Sequence, residues 1–499
     1  VSTREAHLAS LAATVLQPGF VGTTAPSWVR RWLGEGLGAV VLFARNVVDP
    51  EQVAALTARL RAERPDVIVA IDEEAGDVTR IESGLGSSRP GNLALGVVDD
   101  PLLTEAVAND LGAELAALGI TLNYAPAADV NSNPDNPVIG TRSFGADPNL
   151  TARHTAAWVR GLQAGGVAAC AKHFPGHGDT QVDSHHGLPR IAGDRHRLDA
   201  VELTPFRAAL SAGVQAVMTG HLLVPALDPY LPATLSHRIL TGLLRDELGF
   251  AGVVVTDAVE MRAVADRYGF TGSAVRALAA GADAICVGGE HADEDAARRL
   301  RDAIVTAVAA GELPEERLVE AAKRVDQLAA ITAAARQARR PPSPAAGSGS
   351  AVGFAAARRA VRVTTADAGL GALPLAGPAH VVEFAPPHNR AIGVETPWGV
   401  AAPLAALLPG TTTVRYVEAE VPPDPTTEAG GRRLVLVVRD LHRHLWMQAA
   451  VTRALLARPD AVVVELGVPE LVTGAVHVAT HGATRAGSRA AAELLAGIG

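Results

Sequence analysis

The stretch from Lys172 to Pro189, KHFPGHGDTQVDSHHGLP, gathers a lysine, four histidines and two aspartates among three glycines and two prolines. Imidazoles titrate near neutral pH and can both give and take a proton, so such a loop suits a metal site, a solvated surface, or an acid/base carried to a substrate. A metal site would draw on His173, His177, Asp179, Asp183, His185 or His186. The intervening glycines and prolines break any helix that could present two histidines at i and i+4, so no metal and no cofactor is expected. A merely solvated loop has little need of four of the chain's 16 histidines. The catalytic reading uses Asp183-Ser184-His185: the carboxylate orients the imidazole and stabilises its charge, and His185 donates and later accepts a proton.

Other polar residues close short apolar runs. VIVAID ends in Asp72, AACAKHF reaches Lys172 and His173, AVMTGH ends in His221, and GVVVTDA holds Asp257. One such residue is commonly a turn former or helix cap, and Asp257 could cap a helix beginning AVEMRAVADRYG. The functional reading makes Asp257 a carboxylate kept anionic by that helix N-terminus and ready to attack a carbon. Glu260 would lie along the same helix in a structural role.

Convergence of these residues requires a particular set of elements. Eight apolar runs read as strands: LAATVLQPGF, GAVVLF (38–43), DVIVAID (66–72), ITLNYAPAADV (120–130), GVAACAKHF (166–174), VQAVMTGH (214–221), GVVVTDA (252–258) and ADAICVGG (282–289). They alternate with Ala/Leu/Arg-rich segments of helical spacing, the rhythm of repeated βα units. Eight units predict a TIM-type (β/α)8 barrel over residues 1–337, whose carboxyl strand ends form one active face. The Pro/Gly/Ser-rich ARRPPSPAAGSGS reads as a linker at 338–351. Six further runs, AVRVTTAD, HVVEFAPP, TTTVRYVEA, RRLVLVVRDL, AVVVELGVP and VHVATHGA, predict a smaller α/β sandwich over 352–499. The fold class is therefore α/β throughout.

Composition narrows the partners. The chain has 499 residues, 48% apolar and 19% charged, enough for two cores and against a disordered majority. A net charge of −9 without a clustered basic surface argues against nucleic acid. No apolar run reaches the ~20 residues of a membrane span and VSTREAHLAS lacks a basic-then-apolar leader, so a cytoplasmic enzyme with no membrane partner is expected. Cys170 and Cys286 each sit in an apolar run and read as small core residues.

The strings IDEEAGDVTRI, APAADVNSNPDNPVIGTRSFG, KHFPGHGDTQVDSHHGLP and GVVVTDAVEM, in this order over the first domain, resemble exo-β-N-acetylglucosaminidases of glycoside hydrolase family three. HVATHGATRAGSRAAAELLAG is similar to the second domain of two-domain members. The resemblance implies a retaining two-step reaction on a terminal N-acetyl-β-D-glucosaminide, in an oligosaccharide or a muropeptide. It makes Asp257 the nucleophile, His185 the acid/base and Asp183 its dyad partner. Asp72, Arg80, Arg142, Lys172 and His173 become sugar-binding residues. The chain departs from the pattern DxEGGRVxR in having Ala75 for a glycine and Asp77 for an arginine, which bears on the shape of that loop.

Two alternatives stay within the family. A histidine acid/base is neutral after the first step and does not repel phosphate, so a phosphorylase using inorganic phosphate and giving a sugar 1-phosphate is open. A β-glucosidase would need an acid from the second domain, where no recognisable motif supplies one. A catalytically dead sugar-binding module would have lost Asp257 or His185, and both are present.

Overall fold

Short runs of Val, Ile and Ala, bounded by turn residues, become eight parallel strands: β1 (Leu16–Pro18), β2 (Ala39–Leu42), β3 (Ile68–Ile71), β4 (Leu122–Asn123), β5 (Ala168–Phe174), β6 (Ala216–Thr219), β7 (Val253–Thr256) and β8 (Ile285–Val287). They are seen in a computed structural model that describes residues 3–184, 187–338, 349–366, 371–387, 389, 391–393, 396–422 and 424–498. The chain divides into two units. The first comprises Val1–Glu74, Thr104–Ile139 and Ala146–Ser348; the second comprises Ala75–Leu103, Gly140–Gly145 and Gly349–Gly499.

In the first unit β2 to β7 pair in chain order as one parallel sheet, and β1 pairs with β8. A bridge between Val255 and Ala284 joins β7 to the residue entering β8, so the sheet curls as a TIM-type barrel does. Side chains at alternate positions point inward and fill the interior: Ala39 and Val41, Ile68 and Ala70, Leu122 and Tyr124, Ala168 and Cys170, Ala216 and Met218, Val253 and Val255, Ala284 and Cys286. Val325, Leu328 and Ala329 of helix Glu315–Ala338 pack against the same cluster. Both cysteines are free and buried, as small core residues should be, and burial pushes their thiols well above the ordinary range.

Local chemistry sets the helices between strands. Asp49 caps Pro50–Glu63 by accepting from the Gln52 N–H, and Asp147 caps Pro148–Ala164 by accepting from Asn149 and Leu150; each helix begins with proline at its first position. All eight strands are shorter than the runs that predict them, β1 and β4 above all. Residues 11–14 of LAATVLQPGF complete helix Thr3–Thr14, leaving Leu16–Pro18 as strand. In ITLNYAPAADV the ladder stops at Asn123, because Pro126 has no N–H to give; beyond it pairing with β5 continues irregularly through Ala127 and Lys172.

The second unit holds β9 (Arg362–Thr365), β10 (Ala379–Phe384), β11 (Thr412–Tyr416), β12 (Arg433–Val438), β13 (Val462–Glu465) and β14 (Val476–Ala479). Their order is β11-β10-β12-β13-β14-β9, parallel except for β9 at the edge. Val435, Val437, Val462 and Val464 face one apolar cluster while Leu434, Leu436, Val438 and Val463 face another. A sheet buried on both faces explains why these strands read as continuous Val/Leu runs. LWMQAAVTRALLARP forms helix Leu445–Ala457 on one face. Of the linker at 338–351, residues 339–348 lie outside the described residues; at its end Ser350 caps helix Ala351–Ala360. Among the described residues no helix is long and apolar enough to cross a membrane.

Candidate active site

Because β3, β5, β6 and β7 run parallel, the residues that close them share the carboxyl rim of the barrel. Asp72 follows β3, Lys172 and His173 end β5, His221 follows β6 and Asp257 follows β7. Lys172 is 2% exposed, and its ammonium lies between the carboxylates of Asp72 and Glu74, 2.6 Å from Glu74 Oε1. Glu74 is as deeply buried as the lysine, whereas Asp72 keeps about a quarter of its side chain open. Of the three, Asp72 is thus the group with access to a ligand hydroxyl, and Lys172 and Glu74 hold it in place.

His173 is fixed from behind by a residue that strand-end reasoning passed over. Asp129, fully buried, accepts from the backbone N–H of His173 at 3.1 Å and of His177 at 2.7 Å, and its Oδ2 lies 2.8 Å from His173 Nδ1. The carboxylate beside Nδ1 makes that ring nitrogen a donor and fixes the ring. Burial alone would raise the Asp129 carboxyl, but the charge and hydrogen bond of His173, with the charge of His177, hold it below its ordinary value. Asn136 adds a second anchor, donating to the carbonyls of His177 at 2.9 Å and Gly178 at 3.0 Å. Gly178 itself lies so near Val130 that a Cβ would fall 1.6 Å from that carbonyl oxygen. The signal for both anchors was in AADVNSNPDN, a strand end rich in Asp and Asn, like the one that marked Asp72.

Asp257 does not cap a helix. The chain turns through residues 257–261, and the next helix is Arg262–Tyr268 with Met261 before it, so helix-terminus stabilisation of this carboxylate does not operate. Instead Oδ1 accepts from the Ala258 N–H at 2.8 Å, and the backbone N–H of Asp257 is tied to Thr219 of β6 at 3.2 Å. The side chain is partly exposed, as an attacking carboxylate must be. His221 is buried and braces this turn, with Nε2 3.0 Å from the Ala258 carbonyl and Nδ1 2.8 Å from Thr234 Oγ1. Glu260 lies in the turn rather than along the helix. Its Oε1 accepts from Gly288 at 2.8 Å and Gly289 at 2.6 Å, joining the β7 and β8 loops, and burial raises its carboxyl. Its structural role stands on that contact.

Asp183 is buried, and its carbonyl accepts from Gly187 at 3.2 Å. His185 and His186 lie outside the described residues. Arg80 and Arg142 belong to the second unit. There Arg80 Nη2 donates to the Ala391 carbonyl at 3.0 Å, and the Arg142 carbonyl accepts from Asn92 at 2.7 Å.

Residues 23–328 match the glycosyl hydrolase family 3 N terminal domain. Beta-hexosaminidase A of Pseudoalteromonas piscicida is 39% identical over 268 residues, which is 50% of this chain and 45% of that protein. The chain therefore spans under half of that relative. A beta-hexosaminidase of Alkalilimnicola ehrlichii is 37% identical over 277 residues, 54% of this chain and 79% of that one. Among solved structures, a glycoside hydrolase family 3 beta-N-acetylglucosaminidase from Paenibacillus sp. str. FPU-7 is similar with a TM-score of 0.87 and 34% identity, covering 98% of this chain and 97% of that one.

Proposed function

The chain belongs to glycosyl hydrolase family 3, and from that premise we infer that it is a retaining exo-β-N-acetylglucosaminidase acting on terminal N-acetyl-β-D-glucosamine. The observation that carries this reading is the rim itself. A partly exposed carboxylate, Asp257, stands at the end of β7, with the Asp72–Lys172–Glu74 group and the anchored His173 at the ends of β3 and β5. A sugar held by fixed donors and acceptors beside an accessible carboxylate is what covalent glycosyl transfer needs.

In the first step Asp257 attacks C1, the bond from C1 to the aglycone oxygen breaks, and the His185 imidazolium gives its proton to that oxygen. The neutral imidazole then takes a proton from water, whose oxygen bonds to C1 as the ester to Asp257 breaks. Two inversions give net retention. Asp183 stabilises the imidazolium, and Asp72, Arg80, Arg142 and His173 hold the sugar, with the buried Lys172 acting through Asp72. These roles come from the matched motifs.

Substrates in both classes, a chitin-derived disaccharide and a muropeptide, present the same terminal sugar. Turnover of each and of an aryl N-acetyl-β-glucosaminide should be measured with and without inorganic phosphate, with the first-formed anomer read by NMR. Release of the β-anomer of N-acetylglucosamine, abolished in Asp257→Ala, is expected. An α-anomer first, or near-normal turnover in the variant, overturns the mechanism; a sugar 1-phosphate that forms only with phosphate replaces hydrolase by phosphorylase. His185→Ala should lose most on the disaccharide and least on an aryl leaving group, which departs with little need of a proton.

A further inference from the structure

We propose that Asp77 is a positioning residue through which the C-terminal part of the chain holds the two segments carrying Arg80 and Arg142 in place for the sugar; the proposal rests on the sugar-binding roles assigned to those arginines. Asp77 sits three residues before Arg80 with its side chain 1% exposed. Oδ2 accepts from Thr141 Oγ1 at 2.7 Å and from Arg439 Nη2 at 3.0 Å, while Oδ1 accepts from the Ala483 N–H at 2.6 Å. Thr141 is the residue before Arg142, Arg439 follows β12, and Ala483 leads into helix Arg485–Ala496, whose cap is Thr484. All of these residues lie in the second unit.

One carboxylate thus ties both arginine-bearing segments to a strand end and a helix start. Both of its oxygens are engaged, which suits a fixed node rather than a proton donor. Its charge is matched by the Arg439 guanidinium and favoured by the amino end of the helix. The departure at position 77, an aspartate where the resemblance has an arginine, therefore has its charge partner in Arg439. Neighbouring contacts stiffen the same segments: Arg485 Nε donates to the Gly86 carbonyl at 3.0 Å, Ala486 N–H to Ser87 at 3.1 Å, and Asn92 to the Arg142 carbonyl.

Arginine forks select a ligand only when their placement is held to a fraction of an ångström. Loosening the node should weaken sugar binding while leaving the bond-breaking step at Asp257 largely intact, which appears in KM rather than kcat. The test is steady-state kinetics of full-length Asp77→Asn, Arg439→Met, Arg439→Lys and Thr141→Val on an aryl N-acetyl-β-glucosaminide, with Arg142→Ala as reference and thermal unfolding as the fold check. Asp77→Asn and Arg439→Met should raise KM by about tenfold or more, the factor that about 1.4 kcal/mol makes in an affinity. Arg439→Lys should recover most of that loss, and Asp77→Asn combined with Arg439→Met should be no worse than Asp77→Asn alone because the two act as one unit. Should Asp77→Asn fail to fold, Thr141→Val, which removes one bond of the three, should still raise KM. Wild-type KM in the node variants with a raised KM in Arg142→Ala overturns the positioning role. Wild-type KM in Arg142→Ala overturns the sugar-binding role and this proposal with it.

Discussion

Replacing Asp129 by asparagine keeps the shape of the buried anchor behind His173 and removes its charge. Alanine would be too blunt. It would strand the N–H groups of His173 and His177 and the His173 ring N–H, three donors at about 1–3 kcal/mol each, a total of the same size as the stability of a whole domain. In Asp129→Asn the amide oxygen can still accept from both backbone N–H groups, which lie 3.1 and 2.7 Å from Oδ1 in the native protein. The amide NH₂ then faces Nδ1, where the carboxylate had accepted at 2.8 Å. A protonated Nδ1 then meets a donor instead of an acceptor, so the ring loses the bond that fixes it or gives up that proton. A hydrogen bond to a charged group is worth about 1.5–3 kcal/mol and a neutral one about 1, so urea unfolding at pH 7 should show a loss of about 1–2 kcal/mol. Since His173 and His177 hold the carboxyl low despite its burial, the stability it supplies is present above the unfolded value of about 3.9 and is lost as pH falls through the lower folded value. The gap between wild type and variant should therefore close in acid, and kcat/KM at neutral pH should fall by an order of magnitude or more. Equal stability at pH 7, acid limbs that run parallel, or unchanged kcat/KM would refute the anchoring of His173 by a charged Asp129.

Two further substitutions probe buried charge. Lys172→Met strands Glu74 and Asp72 beside an apolar chain and should cost about 3–5 kcal/mol, with Lys172→Met/Glu74→Gln recovering part of it in the same unfolding assay; a single variant as stable as wild type would show that the ammonium is not needed to bury Glu74. Glu465, fully buried, is pushed up to about 8 by burial and then by the charge of Asp440, against backbone N–H bonds from Leu441, Gly467 and Asp440. The folded state thus keeps a proton that the unfolded chain releases near 4.3, and stability should decline as pH rises from there toward 8. Glu465→Gln should remove that decline, and an unchanged slope in the variant would place the pH dependence elsewhere.

Neighbouring residues along the chain already determined the strands and much of the rim. Apolar runs such as AVVL and VVVT and the repeating βα rhythm are local properties, and in a parallel barrel chain direction alone sends Asp72, Lys172, His173 and Asp257 to one end. Helix caps such as Asp49 and Asp147 are local too. What folding alone decided lies in contacts between residues distant along the chain. Asp129 meets His173 across 44 positions, and Asp77 meets Arg439 across 362 and Ala483 across 406. Glu74 shares Lys172 with Asp72 because loop and strand happen to place two carboxylates on one ammonium. The turn at 257–261, where periodicity suggested an immediate helix, is held by Thr219, His221 and the glycines at 288 and 289, from other strands. Periodicity and capping are written into neighbouring residues, whereas the partner of a buried charge is chosen by packing, and packing exists only once the chain has closed on itself.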